Sequence, residues 1–154
     1  MYRIQIIDDD YWCGEAIVAY MMNVAAKATY DIKSIPTPDD GYDIYIVDNE
    51  FEDGDHGIRM VERIRSRNPD ATIVLCTATK ERVDPEAAMN AGCNAMVAKA
   101  SAEGRRQMID IVDQHIRSRA RASRGQSFLA ALNDIKIIIA SWNTRMMQED
   151  RLAG

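Results

Sequence analysis

Short apolar runs alternate with longer segments of helical period along most of the chain, the signature of βα units on a parallel sheet. Arg3 to Ile7 is a compact strand candidate that ends in Asp8-Asp9-Asp10. From about Tyr11 to Lys27 the apolar residues Ile17, Val18, Met21, Met22 and Val24 predict one helical face. Asp31 to Ile35 is a weaker strand, and Ile44 to Val47 an almost wholly apolar one that again ends in an acid, Asp48. Gly57 to Arg67 has Ile58, Val61 and Ile64 at helical spacing and is stopped by Asn68-Pro69-Asp70. Thr72 to Cys76 is a fourth strand, and Asp84-Pro85 opens a short helix that ends near Gly92. Ala95 to Ala98 is a fifth strand followed at once by Lys99, after which Ser101 caps a last helix.

Five strands with their crossovers predict an α/β fold with a doubly wound, five-stranded parallel sheet. In such sheets working residues lie just beyond the carboxyl ends of the strands. That rule selects Asp8, Asp9, Asp48, Thr77 and Lys99 by position alone. One crossover is irregular. Residues 36–42 hold two prolines and a glycine, and so short a link cannot supply a crossover helix. The second helix is therefore expected to be shortened or missing, with one sheet face near the edge left without its cover.

The pattern changes after Ser118. Residues 120–127 read as a basic hinge carrying Arg121, Arg124 and Gly125. Over 128–150, Phe128, Leu132, Ile135, Ile139, Trp142 and Met146 recur at alternating spacings of four and three, which predicts an amphipathic helix. The expected organisation is a domain over 1–119, the hinge, and this C-terminal helical extension. The bland reading of the stripe is core packing; the functional one is dimerisation or docking.

Composition narrows the class. The 154 residues are 47% hydrophobic and 28% charged, the profile of a globular protein. The net charge of −5 argues against nucleic acid as a partner through this chain. Cys13, Cys76 and Cys93 are an odd number without metal-ligand spacing and read as reduced residues of a cytoplasmic protein. No apolar run approaches a membrane span, and the chain enters its first strand with no signal-peptide pattern.

Carboxylates converging beside a lysine and a hydroxyl suit a hard cation and a phosphoryl group. Mg²⁺ takes oxygen ligands and keeps several waters, so one or two carboxylates suffice. An ammonium and a hydroxyl then neutralise and hold the phosphoryl oxygens, while a carboxylate beside the metal serves as nucleophile. Taken alone, Asp8, Asp9 and Asp10 could merely cap the first helix, and Thr77 could be strand filler.

With Asp8-Asp9 after the first strand, Asp48 after the third, Thr77-Ala78 after the fourth and Lys99 after the fifth, the chain resembles the receiver domain of two-component response regulators over roughly residues 1 to 119. The resemblance implies a flavodoxin-like sheet of order 2-1-3-4-5. It implies Asp48 as phosphoacceptor and Mg²⁺ held by Asp8, Asp9, Asp48 and the backbone carbonyl of Glu50. Thr77, Ala78 and Lys99 would bind the phosphoryl group, and Met96 falls at the switch position on strand five. The implied role is a signalling phosphoacceptor rather than an enzyme, with catalysis limited to its own phosphorylation and dephosphorylation. Its donor would be a histidine kinase or phosphotransfer protein, and its output protein contacts, with homodimerisation through the C-terminal helix one route. The alternative is a degenerate receiver acting as a phosphorylation-independent interaction module.

The sequence departs from the family pattern in three places. The methionine-proline turn usual after the phosphoacceptor is replaced by Asn49-Glu-Phe-Glu-Asp-Gly-Asp-His56, and Gly57 arrives one residue late. Ala100 stands where a proline usually follows the lysine. Met96 replaces the usual aromatic.

Overall fold

The computed structural model describes residues 1–78 and 83–122. The chain divides into two compact units, Met1–Ile116 and Arg117–Gly154. The amphipathic stretch 128–150 and all but the start of the hinge lie outside the described residues.

The elements in order are β1 (Arg3–Ile7), α1 (Tyr11–Met21), β2 (Thr29–Lys33), β3 (Ile44–Asp48), β4 (Glu50–Phe51), β5 (Gly54–Asp55), α2 (Gly57–Arg67), β6 (Thr72–Thr77), α3 (Pro85–Asn90) and β7 (Ala95–Ala98). A last helix, α4, begins at 102. The main sheet has the order β2-β1-β3-β6-β7, with every neighbouring pair parallel. This is the doubly wound, flavodoxin-like arrangement with the sequence's five strands in the order 2-1-3-4-5.

The central strands β1, β3 and β6 are covered on both faces, which explains their near-continuous apolar runs. Successive residues of β3 divide between two cores. Tyr45 and Val47 join Met60, Val61 and Ile64 of α2 and Ala88 of α3. Ile44 and Ile46 join Ile17 and Met21 of α1 and Met108 and Val112 of α4.

Helix α1 and strand β2 differ most from the sequence expectation. Helix α1 ends at Met21, not near Lys27, because the chain turns there, with Val24 and Ala25 both donating to the Met21 carbonyl. Val24 and Ala25 still pack onto the same core, so the apolar pattern outlasts the helix. Strand β2 begins two residues earlier than expected. Its inward residues are Tyr30 and Ile32, whereas Ile35 is exposed.

No helix joins β2 to β3, as the short link requires, yet that end of the sheet is not bare. The link itself covers it through polar contacts. Gln5 of β1 is fully buried; its side chain accepts from the Asp39 backbone N–H at 2.9 Å and donates to the Asp39 carboxylate at 2.9 Å. Lys33 reaches the same carboxylate at 2.6 Å. The Tyr45 hydroxyl donates to the Asp39 carbonyl at 2.8 Å. One aspartate thus ties β1, β2 and β3 to the loop, doing with hydrogen bonds what a helix would do with apolar area.

No pattern in the sequence signals the small antiparallel hairpin β4–β5, which follows Asp48 immediately. It absorbs the extra residue before Gly57. Glycine is required there: a Cβ would stand 2.6 Å from the Asn49 Cα, so α2 starts against the backbone that leaves β3.

Candidate phosphoryl and cation site

The parallel register brings the strand ends to one rim. Asp48 pairs with Cys76 and Thr77 with Ala98, so Asp48, Thr77 and Lys99 follow one another across three adjacent strands. The Lys99 backbone N–H donates to the Thr77 carbonyl at 2.9 Å, extending the ladder by one residue. Asp8 and Asp9 reach the same rim from β1.

The acidic triplet after β1 divides its work. Asp10 is the helix cap, accepting from the backbone of Trp12 at 2.9 Å and Cys13 at 3.3 Å; these hydrogen bonds hold its carboxyl below the usual range. Asp8 and Asp9 are thereby left for the site. The buried Asp8 accepts from Lys99 Nζ at 3.0 Å, and the buried Asp48 accepts from the same nitrogen at 2.8 Å. The other Asp48 oxygen accepts from the Asn49 N–H at 2.9 Å. Asp9 is half-buried and accepts from the Glu52 N–H, in the hairpin, at 2.8 Å.

Burial dominates the electrostatics. It pushes the Asp48 carboxyl up from 3.8 to about 6, against the Lys99 hydrogen bond and with further upward pressure from the Asp8 and Glu50 charges. Burial likewise raises Asp8, opposed by Lys99. Burial alone would lower Lys99, but its hydrogen bonds and the charges of Asp48 and Asp8 outweigh it and hold the ammonium protonated. Two buried carboxylates thus share one ammonium, with the Asp9 carboxylate beside them.

That imbalance suits a cation. One oxygen from each of Asp8, Asp9 and Asp48 lies within 4.8 Å of the others, and an all-oxygen anionic donor set fits Mg²⁺. Its charge would offset what Lys99 leaves unbalanced.

Thr77 is buried and Ala78 follows it at the rim. Both donate to the Glu50 side chain, Thr77 through its hydroxyl at 2.6 Å and Ala78 through its N–H at 2.8 Å. Sequence reasoning assigned Glu50 only a backbone carbonyl and missed this carboxylate. It missed Arg105 as well. The Arg105 guanidinium donates to the Ala100 carbonyl at 2.9 Å and the Lys99 carbonyl at 3.4 Å, bracing the turn where the family has a proline. Among the described residues no peptide bond is cis. Met96 is half-buried on β7, packed against the core on the α2 and α3 side.

Residues 4–113 match the family model of the response regulator receiver domain. No curated protein matches the chain. Among solved structures, a receiver domain protein from Methanospirillum hungatei is 14% identical with a TM-score of 0.64, covering 79% of this chain and 98% of its own. A two-component response regulator from Clostridium difficile is 20% identical with a TM-score of 0.64, over 76% of this chain and 97% of that one. The response regulator TrrA from Thermotoga maritima, solved in complex with Mg²⁺ and beryllium fluoride, is 21% identical with a TM-score of 0.62, over 75% and 99%. At these identities the likeness is one of fold. Among the described residues no helix is long and apolar enough to cross a membrane.

Proposed function

Because the chain belongs to the response regulator receiver family, we propose that it accepts a phosphoryl group on Asp48 from a histidine kinase or phosphotransfer protein in two-component signalling. The observation that carries this reading is the single Lys99 ammonium bridging Asp8 and Asp48 at 3.0 and 2.8 Å on the strand-end rim. An Asp48 oxygen bonds to phosphorus as the bond from phosphorus to the donor's imidazole nitrogen breaks. The imidazole keeps the electron pair and takes up a proton, and the product is an aspartyl phosphate. Lys99 neutralises one phosphoryl oxygen, and the Thr77 hydroxyl and Ala78 N–H are the donors for the others. Asp8, Asp9, Asp48 and the Glu50 carbonyl would hold Mg²⁺, which supplies charge neutralisation at the transferred group.

On this reading the protein is a cytoplasmic switch and not a metabolic enzyme. Its chemistry is confined to its own phosphorylation and dephosphorylation. Its output runs through protein contacts, with self-association through residues 128–150 as the route the sequence stripe favours. The test is intact mass after incubation with Mg²⁺ and acetyl phosphate or phosphoramidate. One phosphoryl adduct, absent from Asp48→Asn, is expected; no adduct from either donor on any folded form that keeps Asp48 would sink the reading. The second reading, a phosphorylation-independent module, is favoured by one observation: Glu50 already occupies the Thr77 and Ala78 donors.

A further inference from the structure

A carboxylate that accepts from a hydroxyl and from the next backbone N–H makes the same two contacts that two oxygens of a phosphoryl group would make. Glu50 does this at 2.6 and 2.8 Å, beside the carboxylate proposed to receive that group. Both contacts are short and made to one carboxylate, one oxygen to each donor. Glu50 is also the first residue of the hairpin, paired to Asp55, and the hairpin is tied on the other side of the rim by Glu52 N–H to Asp9. The insertion after Asp48 therefore spans the site from the β1 end to the β6 end.

We propose that the Glu50 carboxylate is a resident stand-in for the phosphoryl group, which must leave Thr77 and Ala78 before a phosphoryl group on Asp48 can take those donors. This rests on the receiver reading and adds a gate to it. The donors have one set of hydrogens, and two anions cannot share them at close range without repulsion. Phosphorylation then expels Glu50, and the β4–β5 hairpin moves with it. The signal is read at this hairpin rather than at an aromatic ring on β7, where the chain has Met96. Before phosphorylation the Thr77 hydroxyl is already turned to an anion, so the change at Thr77 is small and the change at the hairpin large.

The test compares the full chain with Glu50→Gln, Glu50→Ala and Asp53→Asn. The last removes an equal charge from the same hairpin without touching Thr77 or Ala78. Adduct formation is followed by intact mass with Mg²⁺ and phosphoramidate, and the Ala78 amide resonance by NMR without metal or donor. Both Glu50 variants are expected to take up the phosphoryl group about tenfold faster, the scale of one charge-assisted hydrogen bond. Asp53→Asn should run at the native rate, and the Ala78 resonance should move in Glu50→Gln. An adduct that forms only in the Glu50 variants supports the gate in its strongest form. A native chain labelled as fast as both Glu50 variants overturns the gate and leaves Asp48 the acceptor. So does an equal gain in Asp53→Asn, which would make the effect one of general charge, or an unmoved Ala78 resonance. No adduct in any chain overturns the receiver reading, and the gate falls with it.

Discussion

The Arg105 guanidinium stands 2.9 Å from the Ala100 carbonyl and so braces the turn through which Lys99 leaves the sheet. It also lies over the Tyr20 ring, 5.6 Å from its centroid, linking that turn to α1. A proline would stiffen such a turn by fixing its own φ; here a side chain does so from the following helix. Arg105→Ala is expected to cost about 1 kcal/mol of stability, the ordinary worth of exposed hydrogen bonds and a cation–π contact. Phosphorylation should slow several-fold as Lys99 loses its fixed position, about the effect of a misplaced positioning group. Arg105→Lys should recover little, because an ammonium lacks the planar fork. Urea unfolding and the rate of adduct formation check both parts.

Removing the Asp48 charge should stabilise the metal-free protein. An aspartate raised from 3.8 to about 6 on folding binds its proton more tightly when folded. Stability therefore falls as pH rises from about 4 to about 6, and the penalty is complete above that window. At neutral pH it amounts to about 2–3 kcal/mol, from the size of the shift. Asp48→Asn deletes it while Lys99 keeps its partner Asp8. The expected outcome is a higher urea midpoint for Asp48→Asn at pH about 7 in chelator, with the gain gone by about pH 4. A lower midpoint at neutral pH would contradict the electrostatic account.

The same shift sets the pH response of cation binding. A metal competes with the proton on Asp48, whose carboxyl titrates at about 6. Below that pH one proton leaves for each ion bound, so Mg²⁺ affinity should fall about tenfold per pH unit. Above about pH 7 it should level off. The exposed Trp12, next to the Asp10 cap, offers a fluorescence signal for the titration. Affinity that stays flat from about pH 5 to 7 would remove Asp48 from the ion's ligand set.

The covering loop can be tested by a double-mutant cycle. Asp39→Ala removes the carboxylate that accepts from the fully buried Gln5 Nε2, while the backbone N–H at position 39 still donates to Gln5 Oε1; the stranded Nε2 should cost about 1–2 kcal/mol. Gln5→Leu alone should also destabilise, by stranding the Asp39 N–H. The pair together should cost less than the sum, because an apolar residue beneath the loop needs no partner. Additive losses in urea unfolding would show that the two side chains act separately.

Much of the site was legible because a parallel sheet turns sequence order into spatial order. Asp8, Asp48, Thr77 and Lys99 each follow an apolar run, and a crossover rule is enough to bring them together. The Asp10 cap was ambiguous by composition alone, since three adjacent acids compete for one role and only backbone geometry assigns it. The hairpin was not legible. Its strands are two residues each, too short for a period of two to show, and the only trace was Gly57 arriving late. Gln5 and Asp39 also stayed hidden, because a buried glutamine inside an apolar strand carries no sign of its partner. The extended helix reading failed for the opposite reason: Val24 and Ala25 face the core without being helical.

The Lys99–Asp8 contact joins residues 91 positions apart, and β7, which delivers the lysine, is the last strand of the sheet to be synthesised and docks at its margin beside β6. Until that strand is in place the rim holds acids with no ammonium among them. A chain in which β7 is undocked therefore lacks the ammonium that neutralises Asp8 and Asp48. On the proposed function, competence to accept a phosphoryl group requires Lys99 beside Asp48, and so requires that the last strand of the sheet be docked.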